Sequence, residues 1–274
     1  MDIIKAIASE LNVRNNQVEA AVKLIDEGCT IPFISRYRKE ATGALNDEQL
    51  RNLDERLKYL RNLEDKKAQV IASIAEQGLL TDELKNQIEK ADTMVAVEDL
   101  YRPYRPKRRT RATIAKEKGL EPLANIIMLQ MTGEPVVKTA EEYVSEEKDV
   151  KTPEDAVAGA KDIIAESISD NADYRTRIRE LTFKEGVLTS AAKDAEAKTV
   201  YEMYYNFSEP VAKMAGHRIL AVNRGENEKI LTVKIEAPVD KILSYLEKQI
   251  IVRDNRYTTG IIKEAIEDSY ERLI

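Results

Sequence analysis

Residues 46–77 read NDEQLRNLDERLKYLRNLEDKKAQVIASIAEQ and predict one long amphipathic helix. Asn46 followed by Gln49 is the pattern of a capping box, which opens a helix by pairing two side chains with two free backbone N–H groups. An apolar seam then recurs at coiled-coil-like spacing for about two heptads, through Leu50, Leu53, Leu57 and Leu60. We expect this seam to fade at residues 65–67, where an acid and two lysines follow, and to serve internal packing rather than dimerisation.

Shorter helices are predicted on both sides of the long one. Gly78 is a typical end signal, and Thr81 followed by two acids starts another helix, which predicts an antiparallel helical hairpin. Upstream, apolar stripes within residues 2–11 and 18–25 predict a helix, a short turn and a second helix. A DNA-reading helix-turn-helix would use the second helix as its reader, but residues 14–27 hold two cations against three acids, so we favour a packed helical pair.

The rest of the chain is also mainly helical by composition, with 34% charged residues, ten glycines and no tryptophan. Thr152, Pro153 and Asp155 mark a clear helix start. Strands are expected only between 186 and 237, as at most a small two-stranded β element. The predicted fold class is therefore mainly α, multihelical with helix-turn-helix-like pairs, and the predicted domains are residues 1–185 and residues 186–274.

Two details of the segment after residue 185 follow from local patterns. GVLTS at 186–190 is expected to pair with ILTVKI at 230–235, which alternates as a half-buried strand does. Residues 212–225 fit either a helix or one arm of a hairpin, and we favour the helix. Two amphipathic helices are predicted between residues 239 and 274. The last pattern still runs at the final residue, from which we expect a fragment of a longer protein.

A basic run at 101–118, YRPYRPKRRTRATIAKEK, carries eight Lys or Arg and one acid in a chain whose formal net charge is -6. Pro103 and Pro106 would interrupt a helix in this run, so we expect a loop before a new helix. A second basic segment at 31–43 is predicted to be a turn punctuated by Pro32 and Gly43. Arginine forks fit phosphate and tyrosine rings stack on bases. The nucleic-acid-binding candidates are Arg102, Tyr104, Arg105, Lys107, Arg108, Arg109, Arg111, Arg36, Arg38 and Lys39.

The same residues also fit a different class of function. In that alternative the chain is a protein-interaction scaffold, whose basic loop pairs with acidic helices of its own chain or with an acidic partner protein. Arginines that pair in this way would be partly buried rather than exposed. The pI near 5.3 requires any nucleic-acid footprint to be local.

Catalytic and metal-binding patterns are absent from the sequence. His217 is the one histidine and Cys29 the one cysteine, and no CxxC, HExxH, GxGxxG or GxxxxGK[ST] pattern occurs. A carboxylate-only magnesium site would need acids to converge, although solvated helix faces are the usual place for them. We predict no enzyme, no catalytic residue, no metal and no cofactor.

The expected location is the cytoplasm. One cysteine excludes a disulfide within the chain, and the first residues lack the apolar core of a signal peptide. No stretch reaches the roughly 20 apolar residues that a membrane helix needs, so we expect a soluble protein with no membrane contact.

Four separated blocks together resemble one family, the bacterial Tex transcription accessory proteins. They are IPFISRYRKEATG (31–43), VEDLYRPYRPKRRTRATIAKEKGLEPLA (97–124), AVAGAKDIIAESISDNADYR (156–175) and HRILAVNRGENE (217–228). The resemblance spans nearly the whole chain in the expected order. It implies a multihelical N-terminal region with helix-turn-helix-like elements, related to the core of eukaryotic transcription elongation factors.

The resemblance also implies partners. Members of the family continue into a ribonuclease-H-like domain, helix-hairpin-helix elements and an OB-type RNA-binding domain, which we expect this chain to lack. The expected function is that of a non-enzymatic transcription accessory factor that contributes to binding nucleic acid, RNA or DNA, or the transcription machinery. The downstream domains of its own full-length chain are further expected partners. The resemblance assigns no role to any single position.

Overall fold

The computed structural model describes residues 2–106 and 108–274, and its mainly helical architecture agrees with the predicted fold class. The chain forms two compact units, Met1–Tyr104 and Arg105–Ile274. The sequence-based division after residue 185 falls inside the second unit and stays a prediction.

The first unit is built around its longest helix, which contacts each of the other five. In chain order these helices are α1 Ile3–Glu10, α2 Asn15–Asp26, α3 Ile31–Tyr37, α4 Asp47–Glu76, α5 Asp82–Lys90 and α6 Met94–Tyr101. The predicted pair α1 and α2 contact each other and both contact α4, as expected of a packed helical pair.

Helix α4 begins and packs as its sequence predicts. Asn46 Oδ1 accepts the Gln49 N–H at 2.8 Å, and Gln49 Oε1 accepts the Asn46 N–H at 3.0 Å. The four seam leucines are at most 2% exposed and belong to the core of this unit, so the seam serves internal packing. The expectation that it fades was wrong, because the buried stripe continues through Leu63, Lys67, Val70 and Ile74.

The helices of the second unit gather around one long helix, which contacts five of the others. The helices in chain order are α7 Arg111–Glu117, α8 Glu121–Leu129, α9 Val136–Ala140, α10 Pro153–Asp170, α11 Ala172–Glu185, α12 Gly216–Asn227, α13 Val239–Ile250 and α14 Thr259–Leu273. Helix α10 is this central helix, and it begins where the sequence predicts, with Thr152 Oγ1 accepting the Asp155 N–H at 3.1 Å. Gly159 lets α10 lie close to Leu120, the residue before α8, since a Cβ there would lie 2.4 Å from Leu120 Cδ1.

A three-stranded antiparallel sheet also belongs to the second unit. Its strands are β1 Val187–Ala192, β2 Asn206–Pro210 and β3 Leu231–Glu236, in the order β2-β1-β3. The predicted pairing of β1 with β3 is confirmed, and so is the helical choice for α12. The prediction of at most two strands was wrong. Strand β2 is short, lies at the edge and ends in proline, which weakens its local signal.

Candidate nucleic-acid interface

The basic segment at 31–43 begins with a helix, which corrects the predicted turn. Helix α3 starts after Thr30 and holds Pro32 in its first turn, where a missing N–H costs nothing because that group has no partner inside a helix. Ile34 is fully buried on the inner side, while Arg36 and Tyr37 are exposed. The short helix therefore packs on the core of the first unit through Ile34 and leaves its basic and aromatic residues in solvent.

Two aromatic rings lie beside the cations on this surface. Phe33 and Tyr37 are one helical turn apart, with ring centroids 5.4 Å apart and planes at 45°. The Arg38 guanidinium carbon lies 5.3 Å from the centroid of the Phe33 ring, within the range of a cation–π contact. Phe33 is 38% exposed and Tyr37 66% exposed.

The turn after α3 is held by hydrogen bonds to buried and half-buried groups. Thr42 is fully buried, and its N–H donates to the Arg38 carbonyl at 3.1 Å. The Ala44 N–H donates to the Lys39 carbonyl at 2.7 Å, and Gln17 Nε2 donates to the Gly43 carbonyl at 2.8 Å. These hydrogen bonds hold the turn that carries Arg38 and Lys39.

The cations of this surface differ from Arg51, Arg56 and Arg61 of the same unit in having no carboxylate partner. Across residues 2–106 and 108–274, no acid forms an ion pair with Arg36, Arg38 or Lys39. In contrast, Arg56 bonds Glu10 at 2.6 Å and Arg61 bonds Asp26 at 2.7 Å. We call Phe33, Arg36, Tyr37, Arg38 and Lys39 the α3 patch. One acid, Glu40, lies within 31–43, so the segment keeps a net positive charge.

The candidates of the 101–118 run fall into both units. Arg102 follows α6 in the first unit, where it is half-buried and has an interaction partner. The Tyr104 side chain packs partly against the core of that unit, and its carbonyl accepts a hydrogen bond from Gln77 Nε2 at 3.1 Å. Neither side chain is freely available to a ligand.

The remaining candidates of the run belong to the second unit. Arg105 and Arg108 are exposed and have no ion-pair partner among the described residues. Arg109 Nη2 lies 2.8 Å from Glu117 Oε2, and Arg111 is the exposed first residue of α7. Lys107 lies outside the described residues. The predicted loop before a short helix is confirmed on either side of it.

The positive charge of Arg111 also acts on carboxylates of the helical core. Burial raises the pKa of the Asp162 carboxyl above its usual value, and the charges of Arg272 and Arg111 offset part of that rise. A hydrogen bond from Arg272 lowers the pKa of Asp268. Arg272 Nη2 lies 3.0 Å from Asp162 Oδ1. This network ties α10 and α14 together, and Arg111 contributes to its field.

A surface hollow of about 410 Å³ adjoins this region, lined by α7, α10 and the segment before α10. Its cations are Arg111, Lys118 and Lys151, and its acids include Asp149, which lies 3.2 Å from Lys118 Nζ. Its three cations are matched by three acids, so it offers no surface of one sign. In the part of the chain that the structure describes, no three His, Cys, Asp or Glu side chains are placed to hold a metal ion.

Sequence reasoning identified the α3 cations and missed the rings of Phe33 and Tyr37. Their spacing of four residues places them on one face only if the segment is a helix, whereas Pro32 and Gly43 predicted a turn. No helix within the described residues has both the length and the apolar character needed to cross a bilayer.

Comparison with known proteins gives family-model matches to two separate stretches of the chain. A family model described as Tex-like protein N-terminal domain matches residues 1–75, and one described as Tex central region-like matches residues 132–266. The chain therefore belongs to the Tex family, as the four sequence blocks predict.

Individual relatives match nearly the whole chain. The Bacillus subtilis (strain 168) protein YdcI is 51% identical over 98% of this chain, and the Neisseria gonorrhoeae transcriptional accessory protein Tex is 41% identical over 95% of it. The human S1 RNA-binding domain-containing protein 1 is 30% identical over 85% of it. The chain spans 38%, 35% and 24% of the lengths of these three relatives.

Proposed function

We propose that this chain is a helical, non-enzymatic scaffold of a transcription accessory factor and that it contributes to binding nucleic acid. One observation carries the proposal: the basic segments at 31–43 and 101–118 hold five exposed cations without carboxylate partners among the described residues, in a chain whose formal net charge is -6. They are Arg36, Arg38, Lys39, Arg105 and Arg108. Unpaired guanidinium and ammonium groups release counterions from a phosphate backbone when they bind it.

The family relationship supports the same proposal. One relative is named a transcriptional accessory protein and another an S1 RNA-binding domain-containing protein. We extend transcription and nucleic-acid contact from those relatives to this chain as part of the proposal, together with docking to transcription machinery and to the downstream domains of a longer chain. DNA remains an alternative ligand to RNA.

The test is a fluorescence-anisotropy titration of labelled single-stranded RNA and duplex DNA at two salt concentrations. Each cation that binds a single-strand phosphate should steepen the fall of log affinity with log salt by about 0.7, which gives a slope of about -2.1 for the three cations of the first unit and about -1.4 for the two of the second. R105A/R108A should reduce the steepness of that slope by about 1.4. If the chain binds neither the RNA nor the duplex DNA at low salt, the proposal is wrong.

A matched control is available in the second unit. Lys138 and Arg177 are exposed and already bonded to Glu134 and Glu180, three or four residues away. K138A/R177A removes the same charge as R105A/R108A, and exposed pairs of this kind contribute only about 0.3–0.5 kcal/mol. An equal loss of affinity in both variants would mean that overall charge, not these arginines, sets the binding.

A second candidate function is a protein-interaction scaffold. The bonds from Arg109 to Glu117 and from Lys118 to Asp149 favour it, because they show the end of the basic run pairing with acids of its own unit. This candidate predicts little affinity for nucleic acid in the same titration, and loss of partner capture when Arg105 and Arg108 become alanine.

A further inference from the structure

We infer that the α3 patch is a stacking site for single-stranded nucleic acid, with the rings of Phe33 and Tyr37 receiving unpaired bases. The inference rests on the proposed function, since it names the ligand class and the contacts of one part of the same surface. It adds Phe33 and Tyr37 to the proposed binding residues, although neither side chain is charged.

The rings are exposed although the packing of α3 does not require it. Helix α3 contacts α2 and α4, and its buried side chain is Ile34. Phe33 and Tyr37 are not part of the hydrophobic core of this unit and keep 38% and 66% of their surface in solvent. Two neighbouring aromatic rings turned to solvent forgo the stability that burial would give them, which is the usual cost of a binding surface.

The geometry suits a chain of alternating bases and phosphates. The Arg38 guanidinium already lies against the Phe33 ring, so a base that reaches the patch meets a platform of ring and cation. Arg36 and Lys39 are exposed in the same short segment and have no ion-pair partner among the described residues. Bases gain from aromatic faces and phosphates gain from cations, and single-strand-binding surfaces combine both.

The patch is also arranged before a ligand arrives. The bonds of Thr42, Ala44 and Gln17 to the turn backbone fix the stretch that carries Arg38 and Lys39. Gly43 contributes to this turn with a φ of +61°, a conformation that glycine adopts without strain. A fixed turn lowers the ordering cost of binding.

Single strands are favoured over the other macromolecules that cations attract. The bases of a duplex are already stacked on one another, so exposed rings add nothing to duplex binding. An acidic protein would pair with the cations without needing two flat faces. The site therefore predicts selectivity for unpaired bases, which separates it from charge attraction alone.

The first experiment compares ring variants of the full chain. F33L/Y37L keeps apolar, helix-forming side chains but removes the flat faces. We expect it to lose at least about tenfold in affinity for a labelled single-stranded RNA of about 12 nucleotides, with duplex affinity unchanged. Because no charge is lost, the salt slope should also stay unchanged. Circular dichroism of the variant should match the wild type, since both rings are outside the core.

A second experiment reports the stacking directly. The chain has no tryptophan, so Y37W introduces a single reporter at the site. We expect its emission to be quenched on adding the RNA, and the emission of F183W to be unaffected. Phe183 is 65% exposed and lies on α11 in the second unit, which makes it a matched solvent-facing position.

The outcomes separate this inference from the proposed function. Wild-type binding with no loss in F33L/Y37L, or equal losses for RNA and duplex, would overturn the stacking site and leave the proposed function standing. No binding by the wild type at low salt would overturn both. Poly-glutamate serves as a probe for an acidic protein. If F33L/Y37L binds poly-glutamate more weakly than the wild type but keeps its RNA affinity, the patch is a site for an acidic protein instead.

Discussion

Replacing Gln130 by leucine is expected to lower the free energy of unfolding of the second unit by about 3 kcal/mol. Gln130 is 2% exposed and follows α8 in the left-handed conformation. Its Nε2 donates to the Ile250 carbonyl at 2.8 Å, and its Oε1 accepts the Arg253 N–H at 3.0 Å. Leucine fills nearly the same volume but leaves both backbone groups without these partners, and each such loss costs about 1–3 kcal/mol.

Urea denaturation followed by circular dichroism measures this change. Hydrogen exchange is needed beside it, because a chain of two units need not unfold in one step. The lost protection should concentrate at the end of α8 and in residues 251–258. Gln249, exposed on α13, supplies the control, and Q249L should stay within about 0.5 kcal/mol of the wild type. Equal stability of Q130L would show that these bonds contribute nothing net.

The second large effect is expected at Lys67 in the first unit. Its side chain is 5% exposed, and its Nζ lies 2.9 Å from both Glu64 Oε1 and the Glu89 carbonyl. Changing Lys67 to alanine removes the ammonium that bonds both oxygens and leaves a gap in the buried stripe of α4. We expect a loss of about 3 kcal/mol, at the lower end for breaking a buried ion pair, because Glu64 keeps some solvent contact.

Two further variants separate the causes. Lys67→Met keeps most of the apolar stem but not the charge, so it should recover about half of the loss by filling the gap. Lys66 is more exposed, with a longer contact to Glu98 at 3.7 Å, and Lys66→Ala should change stability by less than about 1 kcal/mol. If Lys67→Ala proves as stable as Lys66→Ala, the buried contact is without energetic value.

Local signals explain what the sequence predicted well. The caps at Asn46 and Thr152 depend on residues three apart, so their chemistry is readable before any tertiary contact forms. The seam leucines fix which face of α4 is buried for the same reason. The predicted end of the stripe was wrong because Lys67 is charged, and its burial depends on the distant Glu89 carbonyl as well as on the nearby Glu64.

Distant contacts explain what the sequence could not show. Strand β2 is defined by its register on β1, with Val187 opposite Pro210. Its five residues end in proline, so the local sequence does not predict a strand. The bond from Arg109 to Glu117 depends on how the loop meets α7, so composition alone could not tell this arginine from the unpaired Arg105 and Arg108. The sequence did not place the α3 rings on one face because Pro32 predicted a loop turn, whereas it lies in the first turn of a helix.

The most direct test of the central claim is the salt dependence of RNA binding by R36A/R38A/K39A. The control R51A/K58A/K85A removes the same charge from exposed lysines and arginines of the same unit that are already paired four residues away. The account predicts that the α3 variant lowers the steepness of the log-log slope by about 2 while the control keeps the wild-type slope. Equal slopes in the two variants would contradict it.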